Sequence, residues 1–301
     1  MKKSIKDNFK SGFIALIGRP NVGKSSMINK LVGEKVAITA DKPQTTRNRI
    51  AAIVNVPNAQ MIFMDTPGIH KPGHALGDYM VEVARQTMEE VDIVLFVVDA
   101  TAPEHPADLK VAENFENIDT PIWAVINKCD IATKEQTDVI SKRLAEMGKF
   151  DNIVLVSART GEGMDYLTKQ LYDVLPEGPA YYPEEMVVDH PEEFIVSEFI
   201  REKIIKLTRE EIPHSVAVMI EEMKKRDGKE IVDVSAVILV EKESQKGIVI
   251  GSKGTMLKQV GTQARLDIER LLGSKVNLTL WVKVKKDWRD DASMLTRLGY
   301  E

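Results

Sequence analysis

Near its start the chain has residues whose types and spacing suit a phosphate group. In "GRPNVGKSS", residues 18–26, Gly18, Gly23, Lys24 and Ser25 satisfy the order G-x-x-x-x-G-K-S. The glycines let the backbone turn tightly, so that successive N–H groups from Asn21 and Val22 through Ser26 converge on phosphate oxygens. A helix starting here adds partial positive charge. Lys24 can bridge β- and γ-phosphates, and the Ser25 hydroxyl can enter the oxygen shell of Mg²⁺. Alone, the stretch implies a nucleoside triphosphate, with neither base nor reaction specified.

The base is addressed by "NKCD", residues 127–130. An ionised Asp130 accepts two parallel hydrogen bonds from the N1–H and 2-amino group of guanine. Adenine offers neither donor and would leave a buried acceptor unpaired. Asn127 can bond guanine N7 or hold the phosphate loop, and the Lys128 stem can cover the base. "SAR", Ser157, Ala158 and Arg159, offers a backbone N–H to guanine O6. "DTPG", residues 65–68, supplies Asp65, able to hold Mg²⁺ through water, and the Gly68 N–H, able to reach the γ-phosphate. In "KPQTTRN", residues 42–48, either Thr45 or Thr46 can complete the metal shell. The five histidines, at 70, 74, 105, 190 and 214, show no metal-ligand spacing.

These residues need a frame. The chain has 301 residues, 43% apolar and 29% charged, as a soluble globular protein of one large or two ordinary domains would. Apolar runs at 13–18, 50–56, 60–65, 93–100, 121–128 and 152–158 alternate with helix-like segments near 24–32, 76–90, 106–116, 135–147 and 163–175. Strands apolar on both faces, separated by amphipathic helices, predict an α/β domain with a mostly parallel six-stranded sheet. The close spacing of 50–56 and 60–65 allows one antiparallel hairpin at an edge. We place this domain at 1–178. Four prolines in "PEGPAYYPEEMVVDHP", residues 176–191, then predict a linker at 179–192. From 193 to 301 the pattern reads α-β-β-α-α-β, with a strand at 275–288 and "GSKG", residues 251–254, between the later helices. The single cysteine, Cys129, excludes an intrachain disulfide and suits a reducing cytosol. No run of about 18 apolar residues predicts a membrane span, and the basic opening "MKKSIKDNFKSG" lacks a signal peptide's apolar core. The net charge is -5, yet from Lys242 onward 12 Lys+Arg stand against 7 Asp+Glu.

Taken together, "GRPNVGKS", "TTR", "DTPG", "NKCD" and "SAR" resemble the Era family of translation-factor-class GTPases, in the TrmE-Era-EngA-like branch. That resemblance implies GTP and GDP as ligands with Mg²⁺ held by Ser25, Thr46 and Asp65, the threonine before Arg47 being favoured over Thr45. It assigns Lys24, Thr46 and Gly68 to catalysis, and associates Asn21 with a bound K⁺. It makes the second half a type II KH domain. There, Gly251, Ser252, Lys253 and Gly254 would approach an RNA backbone, with Lys246 and Lys258 near phosphates. Ile248, Val249 and Ile250 would wall a groove for bases, and the tail residues Lys286, Trp288 and Arg289 would add phosphate and stacking contacts. The implied partners are the 3′ region of 16S ribosomal RNA and the 30S subunit during its assembly, with a monomer in the cytoplasm. Family members also associate peripherally with membranes, though no amphipathic anchor here predicts it. The competing readings are a P-loop ATPase or kinase, which "NKCD" opposes, and an RNA-binding scaffold with a vestigial nucleotide site, which intact Lys24, Ser25 and Asp65 oppose.

Ile69 follows "DTPG" where many signalling GTPases carry a glutamine that orients water. Isoleucine cannot, so rate enhancement must come from positioning and charge neutralisation. Hydrolysis by the pure protein in Na⁺ is therefore expected to be slow and to rise with a partner. Fast turnover under those conditions, without RNA, would contradict this.

Overall fold

The computed structural model describes residues 8–40, 42, 45–68, 74–116 and 118–300. The chain divides into two compact units, one within 1–37, 46–71 and 80–189, the other within 38–45, 72–79 and 190–301.

In the first unit the expected alternation takes shape as β1 (Lys10–Ile17), α1 (Lys24–Val32), β2 (Ile50–Val56), β3 (Ala59–Asp65), α2 (Ala75–Glu89, whose first turns count with the second unit), β4 (Ile93–Asp99), α3 (Pro106–Ala112), β5 (Ile122–Asn127), α4 (Lys134–Met147), β6 (Asn152–Leu155) and α5 (Met164–Val174). The six strands order as β2-β3-β1-β4-β5-β6. Only β2 runs antiparallel, paired with β3 through a tight turn at Pro57-Asn58. Helices on both faces leave the central strands dry: Ile14 to Ile17 and Val94 to Val97 are at most 1% exposed. Phe96 packs edge-on to Phe115 and stacked on Phe150, filling the layer beneath α3 and α4.

The proline-rich stretch expected as a linker at 179–192 is structured through Asp189 and belongs to the first unit. Pro176 carbonyl accepts from Ser11 N–H, and Val187 and Asp189 bond back to Ile53 and Ala51 of β2. The strap is pinned by one buried amide. Gln60 Nε2 donates to the Asn55 side chain at 3.0 Å and the Tyr182 carbonyl at 2.9 Å, while its Oε1 accepts the Tyr181 and Tyr182 N–H groups at 2.8 and 2.9 Å.

The second unit contains α6 (Glu192–Leu207), α7 (Ile212–Ser215), β7 (Ala217–Lys225), β8 (Ile231–Val240), α8 (Glu243–Ile250), α9 (Thr255–Leu272), β9 (Lys275–Val284) and α10 (Ala292–Arg297). Its sheet orders as β7-β8-β9, with β7 antiparallel and β9 parallel to β8. A parallel pair needs a crossover, and α8, the "GSKG" turn and α9 provide it. Residues 38–45 also count here: Glu202 Oε1 accepts the Thr39 N–H at 2.9 Å, and the buried Arg201, paired with Glu198, donates to the Thr45 carbonyl.

The end of this unit corrects the expectation drawn from its pattern. β9 stops at Val284, and Trp288 opens a short 3₁₀ turn in which it is fully buried, its Nε1 donating to the Ser215 carbonyl at 2.9 Å. It is a packing residue and offers no face for stacking a base. Arg289 is held by both oxygens of Glu241, at 3.0 and 2.6 Å. Val249 is also wholly buried, so it belongs to the core and not to a groove wall. Among the described residues no helix is long and apolar enough to cross a membrane.

Because Gln60 satisfies four polar groups at once, Gln60→Leu should lower stability by about 2 kcal/mol. The measurement is a shift in the urea midpoint, accompanied by faster proteolytic nicking within 179–189 than in the parent.

Candidate functional site

β1 lies between β3 and β4, so the sheet order turns at its end and the loops on either side diverge into a crevice. The phosphate loop occupies that crevice. Gly23 has φ 102°, and a Cβ there would sit 2.2 Å from Asn127 Nδ2, so only glycine fits. Of the two roles open to Asn127, the geometry shows it holding the loop. Its Nδ2 donates to the Val22 carbonyl at 2.8 Å, and its Oδ1 accepts the Ala158 N–H at 3.0 Å. One buried amide thus joins the phosphate loop, "NKCD" and "SAR".

Lys24 is buried, its Nζ donating to the carbonyls of Gly18 at 3.0 Å and Arg19 at 3.3 Å. Burial lowers its ammonium pKa to about 8, with nearby Asp65 opposing the shift and Arg19 adding to it. Ser25 follows on the first turn of α1, and its Oγ donates to Asp65 Oδ2 at 2.6 Å. Thr46 Oγ1 lies 3.0 Å from Ser25 Oγ and donates to the same Asp65 oxygen at 3.2 Å. Thr45 turns the other way, its hydroxyl donating to the Lys42 carbonyl at 2.6 Å. Asp65 is fully buried, and its Oδ1 has no hydrogen-bond partner. Burial pushes this carboxyl up, against the pull of Lys24, Ser25 and Thr46. Two hydroxyls around a buried carboxylate with an unused oxygen fit a hard divalent cation such as Mg²⁺. Gly68 packs against the loop, where a Cβ would come 2.8 Å from Pro20 N. Asn21 is exposed with φ 67°, and Ser26 continues α1. Ile69 lies outside the described residues.

At the base end, Asp130 Oδ1 accepts from Ser157 Oγ at 2.7 Å, and Oδ2 pairs with Arg159 Nη2 at 2.5 Å. Ser157 and then Arg159 hold this carboxyl below the usual carboxylate range, outweighing its partial burial. It is therefore an anion whose acceptor oxygens are fixed in place. Lys128 has φ 68° and sends its Nζ to Asp99 Oδ2 at 2.7 Å.

In the second unit, Gly251 and Gly254 both have positive φ, 74° and 78°, with Lys253 at 49° between them. A Cβ on Gly251 would strike Met256, whereas one on Gly254 would meet nothing within 4 Å. The turn's outer side is open. Ser252 and Lys253 are exposed, Ile248 is 52% exposed, Lys246 and Ile250 are half-buried, and Lys258 and Lys286 face solvent. An open groove between α9 and β9 continues from the turn, lined by Leu257, Lys258, Arg265, Leu278 and Leu280 among others. Apart from Lys258, the sequence reading had not singled these out. The signal was present: Lys258 and Thr262 lie four residues apart on α9, in step with Gly254 just before it, and Val276, Leu278 and Leu280 share one face of β9.

Residues 13–128 match the 50S ribosome-binding GTPase family, and residues 211–289 match the KH domain family. GTPase Era of Alkaliphilus oremlandii is 51% identical over 97% of this chain and 99% of its own length. That of Carboxydothermus hydrogenoformans is 48% identical over 97% of this chain. The chain belongs to the Era family of GTPases. Two solved Era structures superpose with a TM-score of 0.92 at 42% identity, each covering 97% of this chain and 99% of the other. One is Aquifex aeolicus Era bound to GDP·AlF₄⁻, and the other is Era in complex with MgGDPNP and nucleotides 1506–1542 of 16S ribosomal RNA. Era-family similarity therefore spans both units, and a P-loop kinase is excluded as the family.

The two adjacent threonines can be told apart in solution. Thr46→Ala should reduce Mg²⁺-dependent GTP hydrolysis by about 100-fold while GDP affinity holds within about threefold. Thr45→Ala, which removes a loop-internal bond, should leave the rate within about threefold. Single-turnover hydrolysis over a Mg²⁺ titration measures both.

Proposed function

We propose that this protein binds and hydrolyses GTP and that its KH unit engages the 3′ region of 16S ribosomal RNA during 30S subunit assembly. The observation carrying this reading is the meeting, at one sheet crevice, of a buried Lys24–Ser25–Thr46–Asp65 cluster with an Asp130 carboxylate held by Ser157.

The chemistry follows from the residues. The phosphate-loop N–H groups and Lys24 bind the triphosphate and stabilise charge that builds on the leaving β-phosphate oxygens. Ser25 and Thr46 would hold Mg²⁺, with Asp65 anchoring both hydroxyls. Bound there, the ion supplies positive charge to the β- and γ-phosphates. The Gly68 N–H is the candidate donor to the γ-phosphate. Asp130 accepts the guanine donors, which rejects ATP, while Asn127 keeps the loop and the base site in register. With no glutamine after "DTPG", the residues position the reactants but do not activate water directly. A K⁺ beside Asn21 would add to charge neutralisation. Residues 38–45, which precede Thr46, count with the second unit, and this supports a coupling of the γ-phosphate to RNA engagement.

On the RNA side, the open face of Gly254, exposed Lys253 and the α9–β9 groove suit a single-stranded backbone with bases packed on Ile248, Leu278 and Leu280. The lone thiol and the ribosomal partner support a cytoplasmic setting for this work.

The deciding experiment measures GTP hydrolysis with and without a 16S 3′ fragment, in K⁺ and in Na⁺. It is paired with RNA affinity in the presence of a GTP analogue or GDP. RNA should accelerate hydrolysis, and affinity should differ between nucleotides. Equal affinities would remove the switch, because a ligand shifts an equilibrium only through differential binding. Lys253→Glu should weaken RNA binding by about 10-fold and leave RNA-free hydrolysis unchanged.

A further inference from the structure

Asp99, the last residue of β4, uses both carboxylate oxygens. Its Oδ1 accepts the Thr101 N–H at 2.9 Å and the Thr101 hydroxyl at 2.7 Å. Its Oδ2 accepts Lys128 Nζ at 2.7 Å, and the Arg19 guanidinium forms an ion pair with the same oxygen at 3.7 Å. Arg19 Nε donates onward to Asp108 Oδ1, on α3, at 3.1 Å. The side chains of Asp99, Arg19 and Asp108 are 7%, 12% and 7% exposed, whereas that of Lys128 is 32% exposed. Burial alone would raise the Asp99 carboxyl, but hydrogen bonds from Lys128 and Thr101 hold it below the usual range. It is an anion at neutral pH.

Two members of this network belong to the nucleotide motifs. Arg19 follows Gly18 in the phosphate loop, and its carbonyl accepts from Lys24. Lys128 is the second residue of "NKCD", with its backbone in the left-handed region. Asp99 and Asp108 belong to no motif, and the expected mechanism leaves them without a task. Register explains how Asp99 reaches both partners. It pairs with Asn127 across the parallel β4–β5 ladder, one residue short of Lys128. A lysine stem that must lie along a base has many rotamers of similar energy unless its ammonium is tied down. A loop whose carbonyls face Lys24 keeps its shape better when its arginine is clamped from behind.

We propose that Asp99 is a positioning residue for both ends of the nucleotide. It pins the Lys128 ammonium so that the stem covers guanine, and it holds Arg19 so that the phosphate loop keeps its form. The role rests on the guanine-nucleotide reading above and adds a coupling to it: base binding and phosphate binding share one carboxylate.

The test uses the full chain and measures Kd for GDP and for IDP, which lacks the 2-amino group that Asp130 reads. Lys128→Met keeps an apolar stem of similar length and loses only the ammonium. Lys128→Met and Asp99→Asn should each weaken GDP binding by about 10-fold, and the double variant should be no more than about threefold worse than either. Arg19→Gln should likewise be non-additive with Asp99→Asn. The GDP-to-IDP preference should survive in all of them, since Asp130 is untouched. A general loosening of the base loop would erase that preference, which makes it the readout a merely structural role would move. The proposal is overturned if Lys128→Met binds GDP as the parent does, if losses multiply, or if Asp99→Asn loses the preference. Should Asp99→Asn fail to fold, Lys128→Met, at a partly exposed side chain, still decides. A parent that does not prefer GDP to ADP would instead defeat the underlying reading.

Discussion

An ammonium and a carboxylate, both out of water, face the same crevice at the ends of two adjacent parallel strands. Lys24 and Asp65 are 6% and 0% exposed. Ions placed so deeply cost several kcal/mol each unless partners surround them. Such partners are in place: the Gly18 and Arg19 carbonyls on Lys24, and the Ser25 and Thr46 hydroxyls on Asp65. The arrangement becomes useful because it is incomplete. A site already saturated by the protein's own dipoles would have nothing left to offer a triphosphate and its metal.

Holding that crevice rigid is the work of the sheet. The register that sets Leu16 beside Asp65 brings the phosphate loop to that buried carboxylate. The register that sets Asp99 beside Asn127 brings the base motif to the same edge. The two motifs are about a hundred residues apart in sequence, and one Asn127 amide closes the gap. The second unit uses the same logic on a smaller scale. Its parallel β8–β9 pair requires a crossover, and the crossover carries the glycine turn.

Much of this was legible in the chain. Strands apolar on both faces announced a parallel sheet, and G-x-x-x-x-G-K-S at a strand-to-helix junction announced its ligand class. What was not legible shares a cause. The alternation of "KVNLTLWVKVKKDW" carried a strand on to Trp288, but the strand ended at Val284, and the indole found a carbonyl 73 residues upstream. No local pattern encodes such a partner. The prolines of 176–191 suggested a linker because strap pairing runs through backbone groups that leave no mark on side-chain type. Asp99 looked like an ordinary strand end, and only the register gave it two cationic neighbours. Leu278 and Leu280 fall within the expected strand at 275–288, but the groove they line depends on where α9 packs.

The strap over β2 has a further meaning. β2 ends the six-stranded sheet, and a terminal strand normally shows a row of unpaired N–H and C=O groups that another chain can copy. Here Val187 and Asp189 bond to Ile53 and Ala51, and Val188 bridges Ala52 in antiparallel register. The chain has spliced its own short segment onto the edge, and prolines on either side stop that segment from becoming a full strand with an edge of its own. At Ala51 to Ile53 that edge is thereby occupied by the chain's own backbone, where another chain would otherwise find a template for β-pairing.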